Sequence, residues 1–442
     1  MSLNSAMWAG LSGINATSTS LSITGDNIAN VNTVGYRGSR AQFEDMLTLN
    51  IYGVGQVGTG TRISSVQKLF EQGSVVGTTS SSDMAISGRG FFVTRGNFNG
   101  IEGQYFTRAG EFVPDKEGYL VNPQGLRLQG YNADRDGNIG VQLGDLLAAE
   151  PTIDPRPTDN IEMKVNLTTV KEGENPNVNP ADIVAAGSFD PADPDATAFW
   201  ETGITIYDSL GEAHPINVYF TRTDELEYEF HAVVESSRLA NPNPAPNTDP
   251  GAEVFASGTL SFTTDGKLDS FNPGQSQVTF VGASPQTINW DFGDPIQAGG
   301  TGGGSTATGT ASSDNIKIQN GYTAGAFVDM SVDGEGIITS VYSNGRAQIV
   351  GRVATADFRA QEGLERLGGT LFRRTDESGE PFIGFANTGG RGQIIGEALE
   401  QANVDISTEF IRMIRDQRAY QAHTRIITTA DELMVETVNI KR

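Results

Sequence analysis

Three histidines, His214, His231 and His423, are the imidazoles available for proton transfer or metal binding, and the chain has no cysteine. None of the three stands in an HxxxH or HExxH spacing, so no two of them can clamp a metal from one helix face. Without cysteine there is no thiolate nucleophile, no thiolate metal ligand and no disulfide framework. Two stretches imitate ligand loops. GVGQVG at Gly53–Gly58 fits the phosphate-cradling pattern, but the adjoining residues, TGTRISSVQKLF, alternate like a strand and supply no helix to receive a phosphate. Asn132, Asp134, Asp136 and Gly137 match the first half of a calcium loop, yet its twelfth position is Leu143, where a bidentate Glu is required. The acidic run Asp224–Glu229 (DELEYE) alternates with Leu226 and Tyr228, the pattern of a solvated strand face and not of converging carboxylates. The chemistry-bearing residues therefore predict no catalytic group, no cofactor and no metal.

The composition agrees. At 442 residues the chain exceeds one compact core, so two to four domains are expected. Its 54 glycines and 37% apolar content suit strands and turns in an elongated molecule. A net charge of -24 argues against nucleic acid or an anionic membrane as partner. No stretch approaches 18 uninterrupted apolar residues, so no membrane insertion is expected, and no cleavable secretory signal is visible.

The elements with the clearest periodicity lie at the two termini. Heptad steps from Met7 reach Leu11, Ile14, Ser18, Leu21, Gly25 and Ile28, a coiled-coil seam. Near the other end the same four-three spacing runs through Ile406, Phe410, Met413, Gln417, Tyr420, Thr424, Ile427, Asp431, Met434 and Val438. Isolated helices of this kind need a partner. Periodicity alone leaves open whether they close on sister molecules or form an ordinary pair on a globular core. Asp405 or Ser407 is expected to cap the second helix, whose negative end receives Lys441 and Arg442.

Between the helices the pattern is that of short strands and turns. Residues 31–79 read as a linking segment with a β-hairpin, and 80–150 as the first half of a β domain. Residues 151–324 hold 15 of the 18 prolines and roughly -17 of the net charge, an inserted acidic all-β domain. Within it, 241–251 and 298–310 read as low-complexity loops. The β pattern resumes over 325–395 and completes the domain begun at 80. Residues 1–30 and 396–442 are the terminal helical segments. The expectation is a mainly β, nested, rod-shaped subunit with coiled-coil helices at one end and an acidic all-β tip at the other.

The wording of the N-terminal stretch GLSGINATSTSLSITGDNIANVNTVGYR closely resembles the signature of bacterial flagellar axial proteins, the rod and hook family. Asn27, Ala29, Asn30, Asn32, Thr33, Gly35 and Tyr36 fall on its most specific part. ISGRGFFV, the stretch from Tyr105 to Tyr131, and the C-terminal Ala402–Asp405 and Gln417–Tyr420 are similar to the same family. The long insertion points to its hook branch, although Arg40–Asp45 is more like a distal rod member.

The resemblance implies a mechanical role outside the cell, as a homopolymer of many copies that carries torque through a flexible tube. It also implies rod proteins, hook-cap and hook–filament junction proteins and the flagellar export apparatus as partners. The alternatives are a distal rod subunit or, in another class, a secreted surface adhesin acting through loops at 235–256 and 298–312.

Overall fold

A four-residue turn recurs along the chain and sets the strand spacing. In Asp115–Gly118, Asn122–Gly125, Asp134–Gly137, Asp208–Gly211 and Asp333–Gly336, the first side chain accepts backbone N–H bonds from residues two and four ahead. The glycine, whose N–H returns to the carbonyl of the first residue, lies in the left-handed region, with φ between 79° and 91°. That conformation suits Gly, and the Asx acceptor closes the turn. The stretch that imitates a calcium loop is one of these turns. It joins the strands Arg127–Ala133 and Ile139–Asp145, while Asn132 turns away to bond the Asp145 carbonyl and the Leu147 N–H.

In this computed structural model residues 3–47, 58–169, 184–242, 251–274 and 276–440 are described. Most of GVGQVG, Gly53–Val57, lies outside them. Two compact units emerge: residues 1–151, 327–341 and 347–442 form one, and 152–326 with 342–346 the other.

In the first unit, Ala347–Asp357 is the organising strand. It pairs antiparallel with Phe91–Phe98 (Thr355 opposite Phe92), with Arg127–Ala133 (Gly351 opposite Asn132) and with Phe382–Phe385. Segments about 250 residues apart in sequence thus share one sheet. Its core joins Phe92, Phe112, Leu128, Ile338 and Val353, and a neighbouring cluster gathers Phe91, Phe106, Phe358 and Phe372. Two helices, α1 (Leu3–Ala29) and α2 (Ile406–Ile440), complete this unit. An antiparallel strand pair, Ser39–Leu47 with Gly58–Lys68, lies against α1: Ser12 Oγ accepts from Thr61 N at 3.2 Å.

The second unit is all-β. A five-stranded antiparallel sheet runs Trp200–Tyr207, Ala213–Asp224, Glu227–Glu235, Ala252–Phe262, Leu268–Pro273. It shares one core with a second sheet centred on Asn160–Thr168, whose Ile161, Met163, Val165 and Leu167 are fully buried beside Phe220, Tyr228, Phe230 and Phe292. In the DELEYE run Tyr228 points into this core and Glu225 and Glu227 outward. Part of 298–310, expected as a loop, is instead strand: Thr306–Thr308 pairs parallel with Asn166–Thr168, and Ser305 is fully buried. Ser305 Oγ bonds the Phe292 carbonyl and accepts the Val165 N–H, which a free linker could not do.

Candidate functional site: the terminal helices and their anchor

The two helices pair antiparallel within the chain, and the residues that join them are small or polar. Asn27 Nδ2 donates to Glu409 Oε2 at 3.2 Å and Ser20 Oγ to Asp416 Oδ2 at 2.6 Å. A Cβ added at Gly13 would stand 2.5 Å from the His423 ring, and one at Gly10 3.0 Å from Ile427 Cγ1. Asn27, Ser20 and Gly13 descend in heptad steps while Glu409, Asp416 and His423 ascend, which fixes an antiparallel register. Glycine weakens a helix interior, but here its missing side chain lets α2 approach. Glu409 is also bonded by Arg412 at 2.5 Å, so neither buried acid is left uncompensated; Asp416 has Arg415 at 3.4 Å besides Ser20. Polar layers of this kind specify register at some expense of stability. At the start of α2, Asp405 Oδ1 accepts the Thr408 N–H at 2.7 Å; bonds from Thr408 hold its carboxyl below the usual range.

Apart from Ile427, which meets Gly10, the apolar heptad positions flank this contact or lie outside it. Met7, Ile14, Leu21, Ile28, Met413, Ile427 and Met434 are half-buried, and Leu11, Ile406, Phe410 and Tyr420 are exposed. The Val438 side chain lies outside the described residues. None of the described members is buried. Sequence reasoning missed further exposed apolar residues: Trp8 (68% exposed) on α1, and Ile411 (68%), Ile414, Ile426, Leu433 and Val435 on α2. Their signal was a second apolar stripe on α2, partly masked by interleaved arginines.

The signature loop anchors this pair to the β part of its unit. Asn27 Oδ1 accepts from Ser39 N at 2.9 Å and Nδ2 donates to Ser39 O at 2.8 Å, so the chain is clipped back onto α1 like a paired strand. Tyr36, 1% exposed, donates its hydroxyl to Asp26 at 2.9 Å beneath the Arg366 guanidinium; burial pushes its phenol up. Asn30 bonds the Asp26 carbonyl and carboxylate, and Thr33 bonds Asn30. Gly35, at φ 68°, has no room for a Cβ, which would meet Ala109 N at 2.3 Å. Ala29 ends α1, and Asn32 continues the turn without a side-chain bond of this set.

Beneath the loop lies a buried ionic node that sequence reasoning did not find. Glu400, fully buried, meets Arg37 at 2.8 Å and Arg108 at 3.2 Å, and accepts the Gly73 N–H at 2.9 Å. Burial pushes the Arg108 guanidinium down to about 10, against the pull of Glu400, so it stays charged near neutrality. Arg108 also bonds the carbonyls of Ile86 and Gly88. Asn403 adds bonds to Gly38 N, Leu69 O and Glu71 O. Four stretches remote in sequence are thus locked where the helices leave the β layer.

One cluster in the other unit brings His214 near carboxylates: Asp208, Glu212 and His214 lie close enough to hold a cation. Asp208 Oδ1 already accepts two turn N–H bonds, however, and its Oδ2 meets His214 Nε2 at 3.0 Å, with the imidazole stacked on Phe280. Burial raises the Asp208 carboxyl, but His214 and the turn N–H groups outweigh it and hold it below the usual range. Glu212 is left exposed. The arrangement is a clamp on a turn. No helix among the described residues is long and apolar enough to cross a membrane.

Four family models match in chain order: the flagella basal body rod protein at residues 7–37, the flagellar hook protein FlgE/F/G D1 domain at 85–174, the flagellar basal body protein FlaE D2 domain at 151–322, and the flagellar basal body rod FlgEFG protein C-terminal at 395–440. Paired terminal helices carrying these signatures around a β body define a flagellar axial subunit of the rod-and-hook class. The flagellar hook protein FlgE of Borreliella burgdorferi is 31% identical, with 99% of each chain covered. That of Salmonella typhimurium is 30% identical over 98% of each, and that of Brucella suis 30% over the full length of both. The crystal structure of Helicobacter pylori flagellar hook protein FlgE2 shares the fold, with a TM-score of 0.51 and 16% identity, covering 74% of this chain and all of that one. The chain belongs to the flagellar hook protein family and is a structural subunit of the hook. Likeness over the whole length favours neither the distal-rod nor the adhesin alternative.

Proposed function

We propose that the subunit polymerises through the apolar surface that its paired helices leave uncovered, with Met7, Leu11, Ile14, Leu21 and Ile28 on α1 and Ile406, Phe410, Met413, Tyr420, Ile427, Met434 and Val438 on α2 meeting sister copies. The observation that carries this reading is the inverted distribution of side chains: the buried positions between the helices are small or polar, while Trp8, Leu11, Phe410, Ile411, Ile414 and Tyr420 are exposed. Burying an exposed Leu, Ile or Phe is worth about 1.5–3 kcal/mol each, which a polymer recovers and a monomer does not. An unequal contact repeated head to tail gives an open tube instead of a closed ring. Such a tube carries torque between rod and filament. Its partners at either end would be rod proteins, the hook cap and the hook–filament junction proteins, and it would arrive through the flagellar export apparatus.

Removing residues 406–442 tests the reading. The expected product is a soluble β protein that no longer forms tubes under conditions where the full chain does, scored by negative-stain microscopy. Tubes formed by the truncated chain would overturn it.

A further inference from the structure

The side of α2 turned away from α1 carries charge in an order that the intrachain pairing leaves unused. Heptad steps from Ile411 reach Arg418, Arg425 and Glu432, and Glu436 stands one turn further on. Each of the first three heptad positions lies two residues after Glu409, Asp416 or His423, the residues that meet α1, and so about 200° round the helix. Arg418, Arg425, Glu432 and Glu436 are all exposed, and none forms an ion pair with a described residue. Like charges sit together: two arginines, then two glutamates four residues apart, a spacing that is mildly repulsive within a helix.

A stripe with a positive block and a negative block in series is complementary to itself only when displaced. Two parallel copies in register would set Arg on Arg and Glu on Glu. The centres of the blocks are about 12.5 residues apart, which is about 19 Å of helix. Antiparallel pairing could match the charges too, but it is two-fold and closes on itself, leaving no free end for growth. Resting on the polymer reading above, we propose that this stripe docks on α2 of a second copy, parallel and staggered by about 19 Å, with Glu432 and Glu436 of one helix beside Arg418 and Arg425 of the next. The apolar residues supply the adhesion and the charges choose the stagger, since charge complementarity acts mainly on register and partner choice.

The test is a charge swap on the full-length chain. Arg418→Glu with Arg425→Glu, and separately Glu432→Arg with Glu436→Arg, should each raise the critical concentration for tube formation about tenfold, as two exposed pairs would. The fourfold swap should return it to within about threefold of the unaltered chain. Far-UV ellipticity of the monomers checks that α2 persists in every variant. If the unaltered chain forms tubes and the double variants form them at the same concentration, the proposal fails while the polymer reading stands. Impaired double variants that the fourfold swap does not rescue also overturn it, as does a closed dimer trapped by cross-linking through the stripe. Failure of the unaltered chain to form tubes would remove the polymer reading, and this proposal with it.

Discussion

The acidic unit and the helical pair bury opposite things. In the acidic unit two sheets enclose Phe220, Tyr228, Phe230, Trp290 and Phe292, and its described carboxylates other than the buried Asp208 are partly or fully exposed. In the helical pair Glu409 and Asp416 are inside, each 4% exposed, while Trp8, Ile411 and Ile414 are outside. The first arrangement satisfies the hydrophobic effect within one unit. The second satisfies hydrogen bonds inside and leaves the apolar surface unspent, the mark of an interaction face. If it polymerises as proposed, a segment that folds by polar specificity and adheres by apolar contact holds a defined shape as a monomer without consuming the surface used for assembly.

Two large effects would break this contrast. Phe230→Ala empties the centre of the acidic unit and should cost about 3–5 kcal/mol, read as a lowered urea midpoint in the fluorescence of Trp290, which is buried there. Glu400→Ala strands Arg37 and Arg108, 2% and 3% exposed, without their counter-ion. It should cost the helical unit about 3–5 kcal/mol, read in far-UV ellipticity while the Trp290 transition stays in place. Movement of both transitions together in either variant would mean that the units do not melt independently.

Much of this was legible in the chain. Heptad spacing located both helices, and turn residues with alternating strands gave a mainly β interior. What stayed hidden shares a physical cause. Gly13, Ser20 and Asn27 carry no hydrophobic signal, so a pattern search that counts apolar residues passes over the face that joins α1 to α2. Arg37, Arg108 and Glu400 are ordinary charged residues in sequence, and only the fold brings them together. The strand Asn160–Thr168 was readable from the alternation Ile161, Met163, Val165, Leu167 but was lost among prolines and acids. Thr306–Thr308 had only Gly, Ser and Thr around it, a composition that describes a linker until a neighbouring strand supplies hydrogen bonds. His214 and Asp208 are six residues apart, and the turn between them brings them into contact.

An intermediate effect sharpens the comparison through pH. The Asp208 carboxyl is held below the usual range in the folded state, so the stabilisation it lends is present above about pH 4 and is lost as pH falls through the folded value. Asp208→Asn keeps the turn acceptor but removes the charge opposite His214. It should cost about 1.5–3 kcal/mol at neutrality and make acid unfolding of the acidic unit shallower, followed by Trp290 emission. Within the helical pair, Ser20→Ala removes one donor to the buried Asp416 and should cost about 1–2 kcal/mol; ellipticity at 222 nm under urea would reveal it.

The smallest effect on stability is the most telling. Ile411 and Ile414 are 68% and 56% exposed on α2, so replacing both by Ser removes almost no intrachain packing. The monomer should lose less than about 0.5 kcal/mol, with unchanged ellipticity and urea midpoint. Assembly should respond quite differently, because each side chain would otherwise be buried once per subunit along the tube. The critical concentration measured by sedimentation should rise by well over tenfold, given about 1.5–3 kcal/mol for each buried side chain. A double variant as destabilised as Phe230→Ala would show that these residues already pack within the chain. One that polymerises as readily as the unaltered protein would move the adhesive face to the other stripe, that of Phe410 and Tyr420.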